Sequence, residues 1–378
     1  MGFRFIHTAD WQIGKAFAQF DSPVGVQLRA ARLEAIDRIA RLALDRAIEH
    51  VVVAGDVFDS ELIEDHALRQ PMARMAAYPN VTWYLLPGNH DPARGGGVWE
   101  RLLAFGMPTN VVPLLTASPC RIRSDVVLLP APLFAKQTAE DPTAWMNHAE
   151  TREGDLRVGI AHGSVRGFGS LGEASVPIDV SRRQSARLDY LALGDWHGTK
   201  AIVPGVWYAG TPERDSFAEN EPGHVLVVDI DGSGIEPQIE VVRTGHYDWI
   251  ERRVALSRIA DFESFGREIA NLGAQARTTV LKLILEGGID VSEAVDLDRK
   301  LTELAAHPLS MRIDDRRLTI RTAISDREFL RDPALVAVAD RLIERGKDPD
   351  RIEARVAARA MRRLLALAAD VARKEAAG

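Results

Sequence analysis

The chain has 378 residues, of which 46% are hydrophobic and 27% are charged, and its formal net charge is −7. This length predicts two or three domains, and the acidic balance argues mildly against a dedicated nucleic-acid binder without excluding one. No apolar run approaches the roughly 20 residues that span a bilayer, the N-terminal run is too short for a signal peptide, and the single cysteine excludes an intrachain disulfide framework. We therefore expect a cytoplasmic protein without a membrane association.

The first 244 residues predict an α/β fold, because short apolar runs alternate with longer helical patterns. Helices are predicted over residues 24–50 and 62–78, where apolar residues recur every three or four positions. The predicted strands are 3–9, 51–55, 81–88, a hairpin within 120–130, 156–161, 190–194, and an antiparallel pair at 223–231 and 238–244.

Residues 245–330 predict a small α+β unit, because strand, helix, strand, helix and strand patterns follow one another. Residues 331–378 form a separate segment rich in Ala, Arg and Leu, with a strong helix signal over 354–374. One stripe of that helix could dock on this protein's own surface or on a partner's helices. The stripe consists of Val356, Ala360, Leu364, Leu367 and Val371.

Metal-ligand residues follow five of the predicted strands. They are Asp10, Asp56, Asn89 with His90, His162, and Asp195 with His197. A single aspartate after a strand is usually a turn or a helix cap, but five such coincidences argue against that interpretation. Sites in open α/β sheets form beyond the carboxyl ends of strands, so these side chains could converge. Their chemistry suits a two-metal hydrolase that displaces an oxygen at phosphorus, with Asp56 as the natural bridging carboxylate.

The motifs "HTAD", "GDVFD", "GNHD", "AHG" and "GDWHG", in this order, resemble the five signature motifs of calcineurin-like metallophosphoesterases. The opening "HTADWQIG" and the later "YAGTPERDSF" resemble more specifically the SbcD/YhaO-type DNA-repair exonucleases. The resemblance covers residues 3–230 and implies a metallophosphoesterase domain, residues 1–244, built as a β-sandwich flanked by helices. Residues 245–330 would then be a capping domain, and residues 331–378 a C-terminal helical segment.

The resemblance also implies a role for each motif residue. One metal would be bound by Asp10, Asp56, His197 and position 12, and the other by Asp56, Asn89, His162 and position 195. His90 would donate a proton or a hydrogen bond to the leaving oxygen, and Asp91 beside it could hold the imidazole in orientation.

The chain departs from the family pattern at two ligands, because Gln12 and Asp195 stand where the family has histidine. Both changes move the site toward oxygen donors, which favour Mn²⁺ or Mg²⁺ over Zn²⁺. We expect a working Mn²⁺-preferring centre whose Gln12-side metal binds more weakly. A site that has lost its metals stays open as an alternative.

Three further residues are candidates for substrate contact. Trp11 and Trp196 each follow a ligand aspartate and could wall the site or stack on a base, with wall packing favoured. Arg214 could touch a phosphate, although a salt bridge to a nearby acid is the favoured interpretation. His7 is interpreted as a buried support for the first loop, not as a ligand.

Three functions compete. The first is a two-metal DNA exo/endonuclease acting in DNA repair, and the resemblance implies an SMC-like coiled-coil ATPase that contacts the C-terminal region. The second is a phosphodiesterase for cyclic nucleotides or nucleotide-lipid headgroups, and the third is a metal-poor scaffold that binds DNA ends or the ATPase without cutting. A homodimer is left open, with residues 62–78 as one candidate face.

Overall fold

The structure, a computed structural model, describes residues 2–165, 176–218, 220–321, 330, 332–345, 353, 356, 357, 360, 361, 363–365, 367, 368 and 371. The chain divides into two compact units, Met1–Tyr247 and Asp248–Gly378. The second unit includes the residues predicted as a capping domain, except residues 245–247, and those predicted as a C-terminal segment, and those two names stay predictions.

The described part of the first unit contains fourteen strands. In chain order they are β1 (Phe3–Thr8), β2 (His50–Val53), β3 (Thr82–Leu85), β4 (Val111–Pro113), β5 (Cys120–Arg123), β6 (Val126–Ala131), β7 (Leu156–His162), β8 (Ser164–Val165), β9 (Pro177–Ile178), β10 (Tyr190–Gly194), β11 (Lys200–Val203), β12 (Val206–Tyr208), β13 (His224–Ile230) and β14 (Gln238–Arg243). The helices are α1 (Ser22–Asp45), α2 (Asp65–Ala76), α3 (Val98–Phe105) and the short α4 (Arg182–Ser185), with a 3₁₀ helix at Ala144–His148.

Within the described residues, the first unit contains two six-stranded sheets and one small two-stranded sheet. The first large sheet has the order β14-β13-β1-β2-β3-β4, and the second has the order β11-β12-β10-β7-β6-β5. Buried side chains from both sheets, such as Phe5 and Val52 from the first and Leu128 and Ile160 from the second, share one apolar cluster. The mixed α/β fold expected from the sequence is therefore confirmed, with a sandwich core between two sheets.

The outer face of the first sheet is covered by α1, α2 and α3, whose apolar residues share a cluster with those of β1, β2 and β3. Helix α1 ends at Asp45, not at the predicted residue 50, because Ala47 takes a positive φ of 52° and reverses the chain before β2. Helix α2 turns Leu68, Met72 and Met75 into the core of its own unit, so its apolar side is not a free surface.

The carboxyl ends of the strands that carry the motifs point to shared edges. Strands β1, β2 and β3 are parallel neighbours in the first sheet, and β7 and β10 are parallel neighbours in the second. Backbone hydrogen bonds continue past the strand ends, from Asp10 N to Gly55 O at 3.1 Å and from Gln12 N to Asp56 O at 2.9 Å. The loops that follow β1 and β2 are thus held side by side.

The second unit contains β15 (Asp248–Leu256), α5 (Asp261–Asn271), a 3₁₀ helix (Gly273–Thr278), β16 (Thr279–Asp290), α6 (Val291–Leu304), β17 (Ser310–Arg321) and α7 (Pro333–Arg345). Its three strands form a parallel sheet in the order β15-β16-β17, and α5 and α6 pack on one face through Phe262, Phe265 and Leu297. Helix α6 begins with a capping box between Asp290 and Glu293.

The predicted C-terminal helix is helical at each position that the structure describes between 353 and 371, and its other positions lie outside the described residues. Its buried side chains are Ala357, Met361 and Leu365, which pack beside Leu330 and Ala339. Of the predicted stripe, Val356, Leu367 and Val371 are exposed. Among the described helices, none combines the length and apolar character that a bilayer crossing requires.

Candidate metal centre

The loops of the predicted site have unusual backbone geometry. Eight non-glycine residues in the described chain have positive φ, and four of them are site candidates: Asp10 (54°), Gln12 (41°), Asp56 (54°) and Asp195 (104°). Such angles are uncommon for residues with a side chain and persist where the surrounding structure fixes them. The strain therefore marks the loops that the motifs predicted.

Glycine is required before two of the motif residues, because the backbone passes close to ligand side chains. A Cβ added at Gly55 would lie 2.2 Å from Nδ1 of His162, and one added at Gly88 would lie 2.1 Å from Oδ1 of Asp56. Gly55 also has a φ of +93°. These glycines let the ligand side chains approach one another.

One side of the centre gathers hydrogen-bond acceptors around His162. The Nδ1 of His162 lies 2.9 Å from the carbonyl oxygen of Ala54 and is assigned as the donor there, which leaves the lone pair on Nε2. That Nε2 lies 3.1 Å from Oδ1 of Asn89, 3.4 Å from Oδ1 of Asp56 and 3.9 Å from Oδ1 of Asp195. Four acceptors that face one another need a cation or a proton between them.

The electrostatics of this side show the same need. Asp10, Asp56 and His162 are buried, and one ligand atom from each lies within 4.8 Å of the others. Burial lowers the pKa of His162, but the surrounding carboxylates raise it to about 9. Burial raises the pKa of Asp10 to about 6, against the lowering effects of His197 and His162. Concentrated negative charge and buried acceptors are what a bound cation would stabilise.

The other side of the centre is arranged differently, because Gln12 has partners of its own. Its Nε2 lies 3.2 Å from Nε2 of His197, and its Oε1 accepts a hydrogen bond from Nζ of Lys15 at 3.1 Å. The same Nζ donates to Oδ2 of Asp215 at 2.6 Å, and Nδ1 of His197 lies 3.6 Å from that oxygen. Four side chains therefore form a closed ring of polar contacts.

Asp215 and Arg32 support this ring, and sequence reasoning missed both of them together with Lys15. Arg32 is buried, lies 3.3 Å from Oδ2 of Asp215, and donates to the carbonyl oxygens of Asp10 and Trp11 at 2.9 and 2.8 Å. Despite burial, His197, Arg32 and Lys15 hold the pKa of the Asp215 carboxyl far below its usual range. The sequence held one signal for Asp215, because Glu213 and Asp215 flank Arg214 in "TPERDSF".

His90 and Asp91 have separate partners, which corrects the prediction that Asp91 orients the His90 imidazole. The Nδ1 of His90 lies 2.8 Å from the carbonyl oxygen of Asp59, so its Nε2 faces Oδ2 of Asp56 at 3.9 Å. The carboxylate of Asp91 instead accepts from the backbone N–H groups of Gly88 at 2.6 Å and Phe58 at 3.0 Å. Asp91 thus joins the loops after β2 and β3, because two buried N–H donors face its oxygens.

The three substrate-contact candidates differ in exposure. Trp11 is buried, donates from Nε1 to Oγ1 of Thr8 at 3.0 Å and belongs to the core, which leaves its ring little surface for a base; its predicted role as a wall of the site stays a prediction. Trp196 is half-buried against the cluster on the outer face of the second sheet. Arg214 donates to the carbonyl oxygens of Ser216 and Ala218, and its predicted phosphate contact stays a prediction.

His7 supports the fold, as predicted. It is buried, and its Nδ1 lies 3.0 Å from the hydroxyl oxygen of Tyr190. This contact joins β1 to β10 across the sandwich, behind the loops that carry Asp10 and Asp195.

A profile of calcineurin-like phosphoesterases matches residues 3–199, which is more than half of the chain. The chain belongs to the calcineurin-like phosphoesterase family. The matched region contains every predicted metal-ligand position, from Asp10 to His197. Membership of this family implies divalent metal ions.

Relatives named as SbcD and Mre11 proteins confirm the resemblance to SbcD-type proteins. The SbcD component of the nuclease SbcCD from Rhodobacter capsulatus is 30% identical over 295 residues, which cover 64% of this chain and 69% of that protein. The DNA double-strand break repair protein Mre11 of Methanosarcina acetivorans is 23% identical over 261 residues, which cover 66% of this chain. The match spans only 40% of that Mre11's own length.

A dimetal phosphatase from Danio rerio has a TM-score of 0.37 at 12% identity, over 64% of this chain and 99% of the phosphatase.

The two sides of the centre do not fit a divalent ion equally well. On the His162 side, converging acceptors and buried carboxylates match the oxygen and imidazole donors that divalent cations take. On the Gln12 side, the amide oxygen is hydrogen-bonded to an ammonium and the amide nitrogen faces His197. The family's implied metal chemistry therefore has a clear match on one side only.

Proposed function

We propose that the chain is a metal-dependent phosphodiesterase that cuts DNA. The observation that carries this proposal is the convergence of side-chain oxygens from Asn89, Asp56 and Asp195 on Nε2 of His162. The assignment to DNA comes from the relatives, one named as part of a nuclease and one as a double-strand break repair protein.

The proposed ligands on the His162 side are Asp56, Asn89, His162 and Asp195, with Asp10 completing the buried carboxylates. These residues would hold a divalent cation, which would supply Lewis-acid chemistry at the oxygens of a phosphodiester. Because these side chains are oxygen donors apart from one imidazole, Mn²⁺ is the expected ion and Mg²⁺ its substitute, ahead of Zn²⁺.

His90 has the geometry of a group that assists the leaving oxygen. Its side chain is 44% exposed, in contrast to the buried Asp56 beside it, so a substrate can reach it. The carbonyl oxygen of Asp59 accepts from Nδ1, which fixes the ring and leaves Nε2 on the side of Asp56. We propose that Nε2 donates a proton or a hydrogen bond to the oxygen released from phosphorus.

One of these relatives supports the proposal of a multi-subunit assembly. The Rhodobacter protein is named as one component of SbcCD, and here Val356, Leu367 and Val371 present an exposed apolar side of the C-terminal helix. We propose that this side docks on the coiled coil of an SMC-like ATPase. A homodimer stays a prediction, since α2 faces its own core.

One assay series tests the reaction and the substrate class. The full chain is incubated with Mn²⁺ and labelled duplex and single-stranded DNA, a chromogenic phosphodiester, or a cyclic nucleotide. His90→Ala and Asp56→Asn are expected to abolish the hydrolysis of DNA. The matched controls His66→Ala, on the exposed side of α2, and Asp229→Asn, on β13, are expected to leave hydrolysis unchanged.

The outcomes separate the three candidate functions. Degradation of DNA that both site variants abolish supports the nuclease. Turnover of small esters alone identifies a small-substrate phosphodiesterase. If folded protein with added metal hydrolyses none of the substrates, the non-cutting scaffold is the remaining candidate.

A further inference from the structure

The amide of Gln12 is fixed in one orientation by its neighbours. Its Oε1 accepts from the Lys15 ammonium at 3.1 Å, and its Nε2 points at Nε2 of His197 at 3.2 Å. An ammonium carries donors only, so the reversed amide would set its NH₂ donors against those of Lys15. Lys15 therefore determines which end of the amide faces the centre, and that end is the nitrogen, which is not a metal ligand.

Lys15 is itself held in place. Its Nζ lies 2.6 Å from Oδ2 of Asp215, a carboxylate that is 2% exposed and also lies 3.3 Å from a guanidinium nitrogen of Arg32. A buried carboxylate keeps its cationic partners because an unpaired charge away from water is costly. The ammonium therefore stays against Gln12, and the amide stays turned.

His197 is occupied by the same contacts. Oδ2 of Asp215 lies 3.6 Å from Nδ1 of His197, so Nδ1 is assigned as the nitrogen that carries its hydrogen toward the carboxylate. The lone pair on Nε2, which a metal would use, then accepts from the amide nitrogen of Gln12. The two side chains that would bind a metal on this side are hydrogen-bonded to each other.

We propose that this chain binds one divalent ion tightly on the His162 side, while Lys15 and Gln12 keep a second ion from binding beside His197. The ammonium of Lys15 supplies the positive charge on that side. This inference rests on the proposed function, which supplies the metal, and goes beyond it by setting the number of ions and naming the residue that limits it.

The test is the stoichiometry of Mn²⁺ binding to the full chain, measured by calorimetry and by electron paramagnetic resonance without substrate. The wild-type chain is expected to take up one ion tightly. Lys15→Met, which frees the amide oxygen, and Gln12→His, which supplies an imidazole, are each expected to tighten a second ion by at least tenfold. Lys15→Arg keeps a cation and is expected to stay at one ion. Lys200→Met, on the exposed strand β11, is the matched control and is also expected to stay at one.

Two tight ions of equal affinity in the wild type, no ion at all, or Lys15→Met and Gln12→His variants that fold and stay at one ion would each overturn the proposal. Failure of the proposed function looks different. One bound ion without any phosphodiester hydrolysis would end the proposed function and keep this inference, whereas hydrolysis with two equal ions would do the reverse. Circular dichroism establishes that each variant is folded. If Lys15→Met does not fold, the number of ions bound by Gln12→His decides the test.

Discussion

Replacing Gly88 with alanine would damage the centre through a single methyl group. The added Cβ would lie 2.1 Å from Oδ1 of Asp56 and 2.4 Å from its backbone nitrogen. Ordinary van der Waals contact begins at 3.4 Å, so the carboxylate oxygen would have to retreat by about 1.3 Å. The backbone nitrogen of Asp56 cannot retreat independently, because the loop that carries it is hydrogen-bonded to the loop of Gln12.

This displacement exceeds what a metal site tolerates. Functional side chains must be held within about 0.5 Å of their productive geometry, and a misplacement of about 1 Å can reduce a rate about 100-fold. Overpacking a buried position also destabilises a fold by about 1–3 kcal/mol. We therefore expect Gly88→Ala to lose at least tenfold in Mn²⁺ affinity and about 100-fold in hydrolysis, while it remains folded at 25 °C.

The control lies on the same loop. A Cβ at Gly95 would find its nearest neighbour, Oε2 of Glu100, at 4.0 Å, and this glycine has no positive φ. Gly95→Ala should therefore change the unfolding free energy by less than about 0.5 kcal/mol and leave the affinity unchanged. Urea unfolding, Mn²⁺ calorimetry and turnover of a chromogenic phosphodiester make the comparison. A Gly88→Ala protein that binds Mn²⁺ and turns over within twofold of wild type would refute the steric reasoning.

Three further predictions concern buried polar groups. Asp91→Ala should lower the unfolding free energy by about 3 kcal/mol, because two buried N–H donors lose their acceptor, and an unchanged urea midpoint would contradict this. Glu213→Ala should cost about 3–5 kcal/mol, because the backbone N–H groups of His246 and Tyr247 lose their acceptor and the Arg38 guanidinium loses its carboxylate partner, and Arg38→Met in the same background should recover part of the loss in urea unfolding. Burial lowers the pKa of His7 from 6.5 to about 3, so only the unfolded chain gains this proton as the pH falls below 6.5, and stability is lost. His7→Gln should remove about 2 kcal/mol of the loss between pH 7.5 and 5, and equal pH slopes for both proteins would exclude this account.

Much of the fold was predictable because its signals are local. Alternating apolar runs located β1, β2 and β3, and the strand–helix–strand order located the three-stranded sheet of the second unit. Errors occurred at helix ends, where the decisive features are single backbone angles. Residues 62–64 were predicted as helical, but α2 begins at Asp65, and Leu62 is 93% exposed.

In the candidate site, too, some features could be predicted from the sequence and others could not. Residues at strand ends such as Asp10 and Asp56 could be predicted, because parallel strands bring their carboxyl ends to one edge. The contact between Lys15 and Asp215 joins positions 200 residues apart, and no local sequence pattern predicts it. The partners of His90 and Asp91 were mispredicted for a related reason, since neighbours in sequence can bond to different loops.

The two departures from the family pattern balance each other electrostatically. On the side of Gln12, a neutral amide replaces an imidazole, and the cations Lys15 and Arg32 lie close by, paired with Asp215. On the side of His162, Asp195 replaces an imidazole and adds a carboxylate to the buried acids, with Ser164 holding its outer oxygen at 2.6 Å. Negative charge is thereby moved to the side where acceptors converge, and positive charge to the side where a ligand is lost. The proposed centre, with one strongly held cation and the Lys15 ammonium opposite it, is the arrangement that this distribution of charge would stabilise.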